Sequence, residues 1–270
     1  MAENFLIDAR WLNDHRGDAN LVLIDTRAAK DFWAGHIAGA RHFDPFPFHY
    51  SDSSERGTTE FKAQLNWIFS ALGITTHHTV VFYENNSGMR ATRGAWALEW
   101  MGHRGAKILD GGLKALSSEK LVTEVKLFAP VQFDGVPVDD AVASLAQVIA
   151  RIARHDVQIF DVRSDEEYYG ERIRAKHTGT IPGSIHLDWT ASQNETGAFK
   201  SPEELRAQFE KLGLNREAEI IPYCQGGYRA AHAYYALKLA GYSKVRNYWG
   251  SWGEYGNRDD TPLEHPRRKK

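Results

Sequence analysis

The chain contains two copies of one sequence unit, and this internal repeat restricts the possible folds more than any other feature. The segment LVLIDTRAAKDFWAGHIAGARHFD at 21–44 returns as VQIFDVRSDEEYYGERIRAKHTGTIPGSIHLD at 157–188. The DTR triplet that begins at Asp25 corresponds to the DVR triplet that begins at Asp161. Self-similarity on this scale indicates that a structural unit has been duplicated.

A second block of sequence repeats in the same order. The segment VVFYENNSGMRATRGAWALEWMGHRGAKILDGGL at 80–113 returns as IIPYCQGGYRAAHAYYALKLAGYSKVRNYWGSW at 220–252. Arg90 corresponds to Arg229, and the same spacing matches Gly111 to Gly250. We therefore predict two domains of similar fold.

The predicted domains cover residues 1–123 and 140–270. The stretch 124–139 between them contains prolines and has weak periodicity, so we predict that it is a linker. A chain of 270 residues is long enough for two domains of typical size, and its 42% hydrophobic content can supply packed cores.

Strand-like and helix-like segments alternate within each copy. Apolar runs such as LVLID, TVVFY, VQIFDV and EIIPY precede segments of helical period such as ATRGAWALEWMG and AAHAYYALKLAG. This alternation predicts an α/β fold in which each domain has a mostly parallel sheet flanked by helices. We expect Pro222 at the last, unpaired position of its strand, because proline cannot donate to a central ladder.

The only cysteine, Cys224, opens the loop CQGGYR between a predicted strand and a predicted helix. Gly226 and Gly227 permit positive φ, so that successive N–H groups can converge on an anion. The following helix, expected to begin near Arg229, presents its positive end to the same point. Since the thiolate is the reactive form of cysteine, this setting predicts a lowered pKa and a nucleophile held open to solvent.

The first copy of the loop has no thiol. Tyr83 and Glu84 stand where the second copy has Tyr223 and Cys224, and the loop that follows is one residue longer. A glutamate has no sulfur to exchange. We therefore predict that the first domain is a scaffold and that the second is catalytic.

Together these motifs resemble the tandem-domain rhodaneses, sulfurtransferases in which an inactive amino-terminal domain precedes an active carboxyl-terminal one. The matching pieces are DTR and DVR, HIAGA and TIPGS, CQGGYR, the helix that ends in AGY, and GSWGEYGNRDDTPLE. They extend from about residue 5 to residue 264.

The resemblance implies a double-displacement reaction on Cys224. The thiolate takes the outer sulfur of thiosulfate, sulfite leaves, and the resulting persulfide is transferred to cyanide or to a thiol. It implies no metal and no organic cofactor. The loop residues that we expect to bind substrate are Gln225, Gly226, Gly227, Tyr228 and Arg229.

Loop length and composition favour thiosulfate over other substrates. Four residues separate Cys224 from Arg229, whereas phosphatases related to this fold have one residue more, so the narrower ring suits a sulfur atom better than a phosphate. Family members that prefer 3-mercaptopyruvate resemble one another in a neutral loop of the CGSGVT kind. Because Gln225, Tyr228 and Arg229 replace its Gly, Val and Thr, we favour thiosulfate and keep 3-mercaptopyruvate as the alternative.

Other residues have both a functional and a structural interpretation. The resemblance implies that Arg172 contacts the substrate oxyanion, although a solvated loop charge is the alternative. Trp189 is either an aromatic wall of the pocket or a core tryptophan. Asp161 is predicted to form a structural pair with Arg163 beneath the loop, and Ser251 to lie in a turn that supports it.

Composition limits the partners. With 33 basic and 35 acidic residues, the net charge of −2 gives no general attraction to nucleic acid or to anionic membranes. A single cysteine excludes an internal disulfide, and the start MAENFLIDAR carries charges where a signal peptide has its apolar core, so we expect a cytoplasmic protein. The twelve histidines show no metal-ligand spacing. The expected partners are a small sulfur donor and a thiophilic acceptor, and we expect a monomer.

Two alternatives to a thiosulfate sulfurtransferase stay open at this point. One is a non-catalytic module that binds a protein partner. The other is a persulfide carrier, which shares the covalent intermediate but differs in the acceptor.

Overall fold

The computed structural model describes residues 5–116, 119–152 and 154–268. The chain divides into two compact units. The first consists of Met1–His49, Glu60–Val138 and Asn194–Phe199, and the second of Tyr50–Thr59, Asp139–Gln193 and Lys200–Lys270. Residues 1–4 and 269–270 of the predicted domains lie outside the described residues. The linker boundaries at 124 and 139 stay predictions.

The first unit contains a parallel sheet. Its strands among the described residues are β1 (Leu6–Ile7), β2 (Leu21–Asp25), β3 (Arg41–His42), β4 (Thr79–Tyr83) and β5 (Ala106–Leu109). They lie in the order β1-β5-β4-β2-β3, and each neighbouring pair is parallel. The helices of the first copy are α1 (Ala9–His15), α2 (Ala29–Ala34), α3 (Glu55–Ala71) and α4 (Met89–Trp100), with 3-10 turns at Phe46–Phe48 and Gly112–Ala115.

The second unit repeats this arrangement. Its strands among the described residues are β6 (Val142–Ala143), β7 (Val157–Asp161), β8 (Ile185–His186), β9 (Glu219–Tyr223) and β10 (Asn247–Tyr248). Its helices are α5 (Leu145–Ile149), α6 (Asp165–Tyr168), α7 (Pro202–Lys211), α8 (Tyr228–Leu239) and α9 (Ser251–Tyr255), with 3-10 turns at Asp139–Ala141 and Trp189–Ser192. The predicted α/β class with parallel sheets is confirmed.

Pro222 divides the sheet of the second unit. The expectation that it ends its strand unpaired is wrong, because it lies inside β9 in register with Phe160 of β7. On the other side of β9, the N–H of Ile220 donates to Lys244 at 2.8 Å. The next N–H on that side belongs to residue 222, and proline has none. The strands consequently form a sheet β8-β7-β9 and a separate pair β10-β6, where the first unit has a continuous sheet.

Each unit has its own apolar cluster, to which both strands and helices contribute. Burying one such aliphatic side chain contributes about 1.5–3 kcal/mol, so these clusters account for much of the stability of each unit. In the first unit the cluster consists of Ile7, Leu12, Leu23, Ile37, Ala40, Val81, Tyr83, Leu109 and Leu116. In the second it consists of Ala143, Val148, Val157, Ile159, Ile181, Ile221, Tyr223, Tyr248, Trp252 and Tyr255.

The thiol-bearing loop lies where parallel sheets usually carry their sites. Cys224 follows the last residue of β9, and Glu84 follows the last residue of β4 in the first unit. Both positions are at the carboxyl ends of parallel strands, just before a helix. Within the described part of the chain, no helix combines the length and the apolar character needed to cross a bilayer.

Candidate active site

The loop from Cys224 to α8 curls around the sulfur atom. Gly227 adopts a left-handed conformation with a φ of 79°, which a residue with a Cβ seldom adopts. Its N–H donates to the Cys224 Sγ at 3.2 Å. Gly226 has no positive φ, so of the two glycines Gly227 is the one that the left-handed turn requires. Helix α8 begins at Tyr228, one residue before its predicted start.

The surroundings of Cys224 favour the thiolate. Burial by itself raises the pKa of the thiol, but the charge of Arg229 opposes this effect. Hydrogen bonds from the backbone N–H groups of Ala230, Gly226 and Gly227 oppose it further, and the net pKa lies below its ordinary value. The predicted amide cradle is therefore present, and the sign of the pKa shift is as expected.

The expectation that the sulfur is open to solvent is wrong, since Cys224 is only 1% exposed. The loop is fastened from behind, where the N–H of Trp252 donates to the Cys224 carbonyl at 2.9 Å and that of Gly253 to the Gln225 carbonyl at 2.8 Å. These bonds draw the loop inward. The sulfur is therefore held by polar groups inside the fold rather than displayed on its surface.

Arg229 is fixed by a carboxylate that the sequence analysis did not assign. Its guanidinium donates to Glu167 at 2.5 and 2.9 Å, in a two-pronged pair. Although burial opposes ionisation, Arg229 and neighbouring donors lower the pKa of Glu167 to about 2. Glu167 also closes a capping box with Ser164 at the start of α6. The motif Ser-x-x-Glu was visible in the sequence and could have located this residue.

Among the described residues, no hydrogen bond or ion pair joins the Arg172 side chain to the Cys224 loop, and its contact with substrate stays a prediction. Arg172 is exposed, and its N–H donates to the carbonyl of Glu166 at 2.8 Å. Arg174 is the nearby arginine instead. Its side chain lies 3.5 Å from Glu167, and its carbonyl accepts a hydrogen bond from the Gln225 side chain at 3.0 Å.

Trp189 packs on the helix that follows the loop. It begins a 3-10 turn and meets His232 of α8 edge to face, with the ring centroids 4.9 Å apart. The indole is partly exposed, whereas Tyr228 at the start of α8 is buried. The contact with His232 fits a packing role, and the partial exposure of the indole fits a pocket wall. Both interpretations stay open, and contact of Trp189 with substrate stays a prediction.

A buried ion pair lies beneath the loop, as predicted. Arg163 donates to Asp161 at 2.6 Å, and the hydroxyl of Tyr223 donates to the same carboxylate at 2.6 Å. In the first unit Arg27 and Asp25 repeat the pair at 2.6 Å. Since the pair is present with and without the thiol, its role is structural.

Ser251 supports the loop in a strained conformation. Its Oγ accepts the N–H of Cys224 at 3.1 Å and donates to the carbonyl of Tyr248 at 2.7 Å. Among the described residues, Ser251 is the one residue other than glycine that has a positive φ, and its φ is 55°. The spacing that matches Gly111 to Gly250 places Gly112 at the same position in the first unit, with a φ of 56°. The second unit thus has a hydroxyl where glycine would fit without strain.

Asn247 is a loop contact that the sequence analysis missed. It is fully buried in β10, and its amide donates to the carbonyl of Gly227 at 3.1 Å. The same spacing places Ile108 at this position in the first unit. A polar residue in one copy where the other copy is apolar was the signal that could have identified it.

The first unit fills its own loop with a carboxylate. Glu84 accepts the N–H of Arg90 at 2.8 Å and that of Ala91 at 3.1 Å. Burial raises the pKa of Glu84, while these two N–H groups act against the rise. Arg90 itself lies 3.4 Å from Asp44. The described residues of neither unit contain a cluster of three or more His, Cys, Asp and Glu side chains suited to a metal ion.

Comparisons with known proteins agree with this geometry. The family model for the rhodanese-like domain matches residues 8–119 and 144–258. A thiosulfate sulfurtransferase of Azotobacter vinelandii is 34% identical over 90% of this chain and 91% of its own length. Another, of Pseudomonas aeruginosa, is 32% identical over 96% of each chain.

Two further comparisons concern proteins of lower sequence identity. A sulfur carrier protein of Thermus thermophilus is 29% identical over 96% of this chain and 95% of its own. The anaerobic ergothioneine biosynthesis enzyme of Chlorobium limicola, solved with trimethyl histidine, superposes with a TM-score of 0.86 at 21% identity, covering 98% of this chain and 71% of that enzyme. At that identity the likeness concerns the fold.

Proposed function

The chain belongs to the rhodanese family and is a sulfurtransferase, and on that premise we propose that it transfers the outer sulfur of thiosulfate through a persulfide on Cys224. One observation carries the proposal. A buried thiol whose pKa is lowered lies within a ring of backbone donors and beside the charge of Arg229. Such a site keeps a sulfur anion ready for nucleophilic attack.

In the first half-reaction the Cys224 thiolate attacks the outer sulfur of thiosulfate. A bond forms between Sγ and that sulfur. The bond to the sulfonate sulfur breaks, and its electron pair leaves on sulfite. The thiolate enters the step already ionised, so no general base is required.

In the second half-reaction a thiophile removes the outer sulfur. Cyanide, or a thiolate, attacks the terminal sulfur of the persulfide, and the electron pair of the S–S bond returns to Cys224. Cyanide gives thiocyanate, and a thiolate gives a new persulfide. Because the first product leaves before the second substrate binds, ping-pong kinetics are expected.

The loop supplies the substrate contacts in this proposal. Its N–H groups receive the incoming sulfur, and Arg229 offsets the charge of thiosulfate. Gln225 is tied to Arg174 and Tyr228 is buried, so both shape the ring rather than leave it open. A charged loop of this kind supports thiosulfate over 3-mercaptopyruvate. Arg172 and Trp189 remain proposed contacts of the outer pocket.

The decisive experiment measures the covalent intermediate and its turnover. After treatment with thiosulfate, the intact mass of the protein should rise by about 32 Da, one sulfur atom, and cyanide should remove it as thiocyanate. Cys224→Ala should show neither event. Wild-type protein that neither gains mass nor forms thiocyanate would refute the proposal and favour a non-catalytic binding module.

A persulfide carrier is the second candidate, and the similarity to a sulfur carrier protein of Thermus thermophilus favours it. It shares the first half-reaction. The two functions differ in the second half-reaction. A carrier would also gain the mass of one sulfur atom, but it would transfer this sulfur more slowly to cyanide than to a thiol on a protein or small molecule.

A further inference from the structure

Ser53 belongs to the first sequence copy but is part of the second compact unit. Residues 50–59 are counted in that unit, together with the Cys224 loop. The ring of Tyr50 lies near the ring of Trp249, at a centroid distance of 6.2 Å. The predicted catalytic domain at 140–270 therefore does not contain every residue of the unit in which it folds.

Ser53 is bound to a partly buried carboxylate of helix α9, that of Glu254. Its N–H donates to one oxygen of Glu254 at 2.7 Å, and its hydroxyl donates to the other at 2.6 Å. The Ser53 hydroxyl also accepts the N–H of Leu145 at 2.7 Å, and Tyr248 donates to Glu254 at 2.9 Å. Every polar atom of the Ser53 side chain is used, and three donors satisfy the Glu254 carboxylate.

The turn that precedes Glu254 has a glycine, Gly250, against which the Glu254 carboxylate lies. A Cβ on Gly250 would collide with the Glu254 carboxylate, so the glycine is required for the carboxylate to fold back against the turn. Burial raises the pKa of Glu254, and the two bonds from Ser53 counteract the rise. Removing the Ser53 hydroxyl would leave this partly buried carboxylate with two donors instead of three.

Helix α9 is the element that fastens the catalytic loop. Ser251 accepts the N–H of Cys224, and the N–H groups of Trp252 and Gly253 donate to the two carbonyls at the start of the loop. All three residues lie within three positions of Glu254. A shift of α9 therefore moves the backbone that aims its donors at the sulfur.

The first unit lacks this connection. The spacing that matches Gly111 to Gly250 places Ala115 at the position of Glu254. There the loop is still fastened in the same way, because Leu113 donates to the Glu84 carbonyl at 2.8 Å and Lys114 to the Asn85 carbonyl at 3.1 Å. The carboxylate accompanies the thiol and is not needed for the turn itself.

We propose that Ser53 is a positioning residue for Cys224, which acts through Glu254 and α9 to hold the catalytic loop in its reactive geometry. The proposal rests on the sulfurtransferase function for its kinetic part. Small displacements far from the reacting atoms can reduce rates by up to about a hundredfold, so the loss expected for Ser53→Ala is about tenfold in kcat with little change in KM.

The experiment uses the full chain with four variants. Ser53→Ala and Glu254→Gln break the connection, Ser53→Thr keeps the hydroxyl, and Ser51→Ala is the matched control because no hydrogen bond of its side chain is found among the described residues. Two properties are measured on each folded variant: kcat with thiosulfate and cyanide, and the pH dependence of Cys224 alkylation by iodoacetamide.

The two measurements separate the possible outcomes. A lower kcat and a higher thiol pKa in Ser53→Ala and Glu254→Gln, with near wild-type values in Ser53→Thr and Ser51→Ala, support the proposal. Wild-type kcat and thiol pKa in a folded Ser53→Ala or Glu254→Gln, even with a lower melting temperature, overturn it. If the wild type transfers no sulfur, the sulfurtransferase proposal fails by itself, and alkylation still decides the role of Ser53.

Discussion

The guanidinium of Arg229 donates two hydrogen bonds to the carboxylate of Glu167, at 2.5 and 2.9 Å, while its charge stabilises the thiolate of Cys224. One cation thus serves two anions. Glu167 fixes the direction of the guanidinium, and the charge of Arg229 adds to the hydrogen bond that the sulfur accepts from the N–H of Gly227.

Replacing Arg229 should raise the pKa of the thiol. In Arg229→Gln the attraction that favours the thiolate disappears while burial still opposes it, so the midpoint of the pH profile for alkylation should move upward by about one unit or more. Thiosulfate turnover at neutral pH should fall at least about tenfold. Arg90→Gln, at the matching position of the first unit, is the control and should leave both measurements unchanged. Identical pH profiles for Arg229→Gln and wild type would contradict this account of the site.

Glu167 should make folding stability depend on acid pH. Its pKa is lowered to about 2 in the folded state, so its contribution is fully present above the unfolded value of about 4.5 and is lost as pH falls toward 2. That contribution amounts to about 3 kcal/mol. Urea unfolding should therefore show Glu167→Gln much less stable than wild type at pH 7, with the difference shrinking toward pH 3. The exposed Glu203→Gln is the control, and a difference that does not depend on pH would refute the prediction.

Substitutions of Ser251 should affect stability and activity differently. Ser251→Gly removes the cost of a left-handed conformation, about 1–2 kcal/mol, and this gain offsets the lost hydrogen bond to Cys224. The free energy of unfolding should stay near the wild-type value while kcat falls several-fold. Ser251→Ala keeps the strain and loses the bond, so it should be the less stable of the two. A Ser251→Ala variant that is more stable than Ser251→Gly would show that the backbone is not strained at this position.

Asn247 should contribute through the carbonyl of Gly227. Asn247→Ile copies the residue found at this position in the first unit and removes one of the two donors to the Gly227 carbonyl, which keeps the N–H of Ala231 at 3.1 Å, so the loss is that of one hydrogen bond, about 0.5–1.5 kcal/mol. We expect lower stability and a higher thiol pKa, measured by urea unfolding and by the pH dependence of alkylation. Lower stability with an unchanged thiol pKa would limit Asn247 to a structural role.

Local patterns in the sequence were sufficient for the main conclusions. Duplication predicted two similar units, the order of strand and helix predicted parallel sheets, and the glycines after Cys224 predicted a backbone cradle. Each of these features depends on residues that are close in sequence. The thiol-free first copy was equally visible, since Glu84 stands at the matching position.

Contacts between distant residues were not visible in the same way. Glu167 and Arg229, or Ser53 and Glu254, meet because the fold brings them together, and no spacing rule connects them. The exposure of Cys224 was predicted wrongly because a reactive thiol suggests an open one, whereas polar groups inside the fold solvate this sulfur. Pro222 was misplaced because the strand tolerates it by giving up hydrogen bonds to β10 on that side.

The cradle around Cys224 has a consequence for the whole reaction cycle. In the proposed reaction the free enzyme carries a thiolate and the loaded enzyme a persulfide, and both are monoanions at the same ring of N–H groups. The loop therefore experiences no change of net charge between the two resting forms. Its dipoles, fixed by α8 and α9, can serve each form in turn without reorienting, which keeps the reorganisation energy of both half-reactions small.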